Sequence, residues 1–86
     1  MSANDIIFHV GDLLHDDTLG DVGILLERFD SHREYINQPP SNVRVWRTYW
    51  CKAGWEDYSE FGLKNLVALD VFVCYSIYPG YKVKKI

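Results

Sequence analysis

The chain has 86 residues, nearly half of them hydrophobic and 15% aromatic, with a formal net charge of −3. This length allows one domain with one modest core, so the whole of residues 1–86 is read as a single unit. The composition is too apolar for a disordered chain, and no apolar run approaches the ~18 residues of a membrane helix. Charge is unevenly spread. Residues 1–30 hold seven acids and one base, residues 31–60 four of each, and residues 61–86 one acid and four bases. An acidic first third and a basic tail make a dipolar molecule suited to ordered contacts between subunits, and the overall balance disfavours generic duplex-DNA binding.

The N-terminal "MSANDIIFHV" lacks a basic region ahead of its apolar stretch and does not read as a signal peptide, so a soluble intracellular chain, or part of a particle assembled inside a cell, is expected. Ile6, Phe8 and Val10 alternate with Ile7 and His9, which predicts a first strand ending at Gly11-Asp12. "LLHDDTLGD" is polar and turn-rich and reads as a loop. In "LGDVGILLERFD", Val22, Ile24 and Leu26 alternate with Gly23, Leu25 and Glu27, a second strand entered through the Gly20 turn. A glycine between β-branched neighbours marks a bulge or a close approach of another backbone, so Gly23 predicts a strongly coiled strand.

"FDSHREYINQPPSN" is expected to be the longest irregular piece, because Pro39-Pro40 rules out regular pairing. In "VRVWRTYWC", residues Val43, Val45, Arg47, Tyr49 and Cys51 share one face and Arg44, Trp46, Thr48 and Trp50 the other. Both faces carry bulky groups, which predicts a central strand. "KAGWEDYSE" turns around Gly54. Ser59 to Leu63 reads as a single 3₁₀ or helical turn leading into a strand through Leu66-Val67, since the β-branched and aromatic residues that follow disfavour a helix over 59–78. "VFVCYSIY", Pro79-Gly80 and "YKVKKI" then read as a strand, a turn and a last strand. The fold class expected is all-β with five or six strands.

The order of "VGDLL", "GDVGILLE", "VRVW" and "SEFGLKNLVAL" resembles the small SH3-like β-barrels of short phage-encoded proteins. Residues 6–70 would form the barrel core and residues 71–86 a C-terminal strand extension beyond the family's usual end. The long loop with Pro39-Pro40 also departs from the family's tight connection. The resemblance implies a fold more firmly than a task, because such barrels serve in virions, on nucleic acid and elsewhere.

No serine stands in a nucleophile-elbow setting, and no constellation of catalytic groups is visible, so an enzyme is not expected. Asp12, His15, Asp16 and Asp17 form the densest acid–histidine cluster but lack the spacing of a calcium loop, and they read as a solvated acidic loop. His9, His15 and His32 are scattered and there is no Cys-x-x-Cys, so neither a metal nor any other cofactor is expected. Cys51 and Cys74 read as two core-facing thiols.

The aromatics hold the remaining information. Trp46, Trp50, Trp55 and Tyr58 crowd one region with Arg44, Arg47 and Lys52 interleaved. That pattern suits a protein interface, a nucleic-acid platform or plain core packing, and core packing is favoured for Trp46. Trp55, between a turn glycine and Glu56-Asp57, is the expected exposed anchor. In "YPGYKVKKI", alternating lysine and apolar residues describe a final edge strand, either guarded against aggregation or suited to strand addition.

Trp50, Trp55, Tyr58, Arg47, Tyr81 and Lys82 are therefore the expected partner-binding residues. Taken with the resemblance, the function expected is a non-enzymatic interaction module, a virion component such as a capsid decoration or head–tail protein, located in the virion or the host cytoplasm. Its partners would be viral structural subunits or a second copy, with no membrane. The rivals are a nucleic-acid-binding barrel using Arg44, Arg47, Lys52 and Trp50, and an acidic inhibitor of a host protein presenting Asp12, Asp16, Asp17 and Asp21.

Overall fold

The computed structural model describes residues 1–33 and 41–86. After a 3₁₀ turn (Ala3–Asp5), the chain runs through β1 (Leu13–Asp16), β2 (Asp21–Arg33), β3 (Ser41–Trp50) and β4 (Gly54–Ser59). Helix α1 (Glu60–Ala68) and strands β5 (Val73–Ser76) and β6 (Val83–Lys85) complete it. The six strands form one sheet in the order β4-β3-β2-β1-β5-β6. Neighbours are antiparallel except β5 and β6, which run parallel. The fold is thus predominantly β, as composition and propensity suggest.

The sheet is not closed: β4 and β6 stand at its two edges. Residues 60–68, which a barrel-closing strand through Leu66-Val67 would have used, form a helix instead. Ser59 caps it, its Oγ accepting the Gly62 N–H at 3.0 Å, and Glu60 sits in the first turn where the helix dipole favours a negative charge. Leu63 and Val67, four residues apart, put one buried stripe on the core. Asp70, at φ 60°, ends the helical run before the β-branched residues begin. Helix α1 therefore replaces both the predicted short turn and the predicted strand. Among the described residues no helix is long and apolar enough to cross a membrane.

Three other boundaries move. Residues 6–10 form no strand, although Ile6 and Phe8 are buried while Ile7 and Val10 are exposed. The alternation holds for Ile6, Ile7 and Phe8 but fails at Val10, which belongs to the face of Ile6 and Phe8 and is exposed, and an extended chain need not pair with a sheet. The predicted acidic loop instead contains β1, which lies between β2 and β5. Strands β2 and β3 also run further into the predicted irregular stretch, pairing out to Arg33 and Ser41. Pro39 and Pro40 lie outside the described residues.

One face of the sheet carries the core. The cross-strand row Trp50, Gly23, Leu14, Cys74 and Val83 runs from β3 to β6, and all five are buried. Leu25, Trp46, Leu63, Val67, Phe72, Ile6 and Phe8 pack against that row, so α1 and the N-terminal segment cover this face. Glu60 ties the helix to β3, accepting from Trp46 Nε1 at 3.3 Å and from Arg44 Nη1 at 3.5 Å. Cys74 is buried as expected, whereas Cys51, one residue past β3, is exposed.

Candidate interaction face

Side chains alternate across a sheet, so the row next to the buried one points the opposite way. Following the pairing register, that row reads Trp55 (β4), Tyr49 (β3), Ile24 (β2), Leu13 (β1), Tyr75 (β5) and Lys84 (β6). It crosses all six strands, and five of its six members are apolar or aromatic. Trp55 is 63% exposed and Tyr49 41%, while Ile24, Leu13 and Tyr75 are partly exposed. Val22 and Val73, partners of His15 on this face, widen the apolar patch. None of these residues belongs to the core cluster.

Trp55 and Tyr49 meet edge to face, ring centroids 5.1 Å apart, a favourable contact between two large aromatic side chains of the patch. Alongside them lies a charged row. Arg47 Nε donates to Asp57 Oδ1 at 3.3 Å, Arg47 Nη1 lies 3.7 Å from Glu27 Oε2, and the guanidinium sits 4.9 Å from the centre of the Phe29 ring. The hydrogen bond and charge of Asp57 raise the pKa of Arg47 further. Arg47, Trp55, Glu56 and Asp57 line an open groove of about 390 Å³ at the β4 edge. Exposed aromatics and arginine are the residue types enriched at protein-binding surfaces.

The sequence-predicted residues divide into three places. Arg47 and Trp55 lie together on this face. Trp50, 3% exposed, lies on the other face, where its Nε1 donates to the Tyr58 hydroxyl at 3.0 Å and its ring stands 5.0 Å from Phe72. Tyr58 is half-buried there; burial raises the pKa of its hydroxyl, assisted by the charges of Glu56, Asp16 and Asp21 against the opposing Trp50 hydrogen bond. Tyr81 packs against the core from the β5–β6 connection, and Lys82 Nζ pairs with Asp70 Oδ1 at 3.2 Å. Neither reaches the outer row.

Sequence reasoning missed Ile24, Leu13, Tyr75 and Lys84 as members of one surface. Tyr49 was within its reach, since the alternation of β3 already places it with Arg47.

The acids of the first thirty residues are not simply solvated. Asp21 is buried and accepts from the N–H groups of Lys52, Ala53 and Val22 at 2.9, 3.0 and 2.9 Å. Burial raises its pKa, but those three N–H groups and the Lys52 charge outweigh it and hold the carboxyl below its ordinary value. Asp12 is likewise buried and accepts from the His9 N–H at 2.8 Å. Asp16 caps its own turn by accepting from Thr18 and Leu19, and Asp17 pairs with His15. Among the described residues no group of three or more histidines, cysteines or acids is placed to hold a metal ion.

No protein-family model, no curated protein and no solved structure matches the chain.

Proposed function

We propose that the protein is a non-enzymatic interaction module, a structural component of a virus particle such as a capsid decoration or head–tail protein. The observation that carries the interaction reading is the sheet face left exposed among the described residues, with Trp55 and Tyr49 in edge contact at one end of an apolar row. Small proteins rarely leave a contiguous apolar surface of this kind in water unless another protein covers it. The SH3-like reading of the fold and the phage context rest on the order of the four sequence motifs.

The rivals lose their main residues to internal contacts. A nucleic-acid platform needs free arginines and an exposed stacking ring. Arg47 is held by Asp57 and Glu27, Arg44 by Glu60 and Asp30, and Trp50 is buried. Of the four acids an inhibitor would present, Asp12 and Asp21 are buried against backbone donors, which leaves Asp16 and Asp17, bonded to their own turn and to His15.

Quantitative mass spectrometry of density-purified particles tests the proposal. A copy number that is a multiple of a capsid or tail symmetry is expected. Absence from the particle overturns it.

A further inference from the structure

The outer row has a symmetry of its own. Read from β4 to β6 it runs Trp55, Tyr49, Ile24, Leu13, Tyr75, Lys84, so its middle four positions pair tyrosine with tyrosine and isoleucine with leucine about the β1–β2 boundary. We infer that this face is covered by a second copy of the chain, packed sheet on sheet about a twofold axis parallel to the strands and between β1 and β2. This rests on the reading of the face as a protein interface and names its occupant.

A rotation about that axis sets β2 over β1 of the second copy, β3 over β5 and β4 over β6. Ile24 then faces Leu13, Tyr49 faces Tyr75 and Trp55 faces Lys84, each contact occurring twice, as an isologous interface requires. Strands stand about 4.8 Å apart and packed sheets about 10 Å apart, so the row extends ~24 Å and its facing side chains reach one another.

The ends complement each other in charge. Lys84, exposed on β6, meets the face of Trp55, with Asp57 two residues along β4 on the same face, a cation on an aromatic ring with a carboxylate beside it. The other twofold choice, with the axis perpendicular to the strands, would set Lys84 on Lys84. It is disfavoured for that reason.

Sedimentation equilibrium of the full chain over a wide concentration range tests the inference. A dimer is expected, with Ile24→Lys folded by circular dichroism but dissociating at least tenfold more readily. If Ile24→Lys fails to fold, Tyr49→Lys, at an already exposed position, takes its place with the same expected result. The register is read separately in a Cys51→Ser background. A mixture of Ile24→Cys and Leu13→Cys chains should be joined by a short bismaleimide several-fold more efficiently than either chain alone.

A wild-type monomer at all concentrations, a mass that grows past the dimer, or a dimer indifferent to the variants overturns the second-copy assignment. Incorporation of the Ile24→Lys chain into particles separates the two readings. If the wild type is monomeric but the variant is lost from the particle, the face binds another protein. If the variant changes neither, the interface reading falls as well.

Discussion

The indole of Trp50 occupies the space that a side chain at residue 23 would need. A Cβ placed on Gly23 would lie 2.8 Å from Trp50 Cε3 and 2.9 Å from Cδ2, inside any tolerated contact. Thr48 Cγ2 closes the same space at 3.2 Å. Gly23 and Trp50 are cross-strand partners in the buried row, so the ring takes up the space beside the glycine. The glycine is therefore required by a neighbouring side chain, whereas the irregularity of β2 falls further on, between Leu25 and Glu27.

Gly23→Ala should destabilise the fold by about 1–3 kcal/mol, and Gly23→Val by more, because the Trp50 ring cannot retreat without opening the core. Chemical denaturation of the two variants checks this. A melting temperature unchanged by Gly23→Val would show that the ring is not where the structure places it.

The three tryptophans should separate by stability. Trp50→Ala removes a buried ring and its hydrogen bond to Tyr58, for an expected loss of about 3–5 kcal/mol. Trp55→Ala removes an exposed ring whose described aromatic contact is Tyr49, and its cost to the isolated fold should stay below about 1 kcal/mol. Trp46, in edge contact with Phe8 and bonded to Glu60, should behave like Trp50. Thermal unfolding of the alanine variants measures all three.

Acid stability should depend on Asp21. Its carboxyl is held below the ordinary value of 3.8, so the stability it contributes is fully present above that pH and is lost as pH falls through the lower folded value. Asp21→Asn should therefore be less stable than the wild type at neutral pH, with the difference shrinking in acid. Urea midpoints of both proteins measured from about pH 6 down to about pH 2 give the comparison.

The two thiols should react in sequence. Burial raises Cys74 to about 12, assisted by the charge of Asp12, whereas Cys51 is exposed. Iodoacetamide under native conditions should label Cys51 alone, and Cys74 only after unfolding. Because the folded pKa of Cys74 is raised, its contribution to stability is complete below about 9 and declines as pH rises towards 12.

Thr48 is fully buried, and its Oγ1 makes no hydrogen bond to any described residue. Thr48→Val keeps the shape and removes the unpaired hydroxyl, so it should stabilise the protein by about 1–2 kcal/mol. A lower denaturation midpoint would mean that the hydroxyl has a partner in solution.

The period-two pattern of β3, the turns at Gly20 and Gly54, the final edge strand and the exposure of Trp55 were legible from the residues. Each depends on short-range chemistry: alternation, a left-handed glycine, or an aromatic between a turn and two acids. Helix α1 was less legible because it is nine residues long and is followed directly by β-branched residues, so local propensity averaged across its boundary. Its Ser59 cap and the Leu63/Val67 spacing were present in the sequence, but their weight comes from the core that the stripe meets.

Alternation separated buried Ile6 and Phe8 from exposed Ile7, because an extended chain turns successive residues to opposite sides whether or not it pairs, but it failed at Val10, which is exposed where the chain enters the Gly11 turn. Only the tertiary structure decided that this segment stays out of the sheet and that β1 takes the place between β2 and β5. The same division applies to the candidate site. The sequence by itself determined that each strand has an outward set of residues. Which of them stand side by side depends on strand order and register, set by pairings between segments as distant as Leu13 and Tyr75, and no local pattern encodes those.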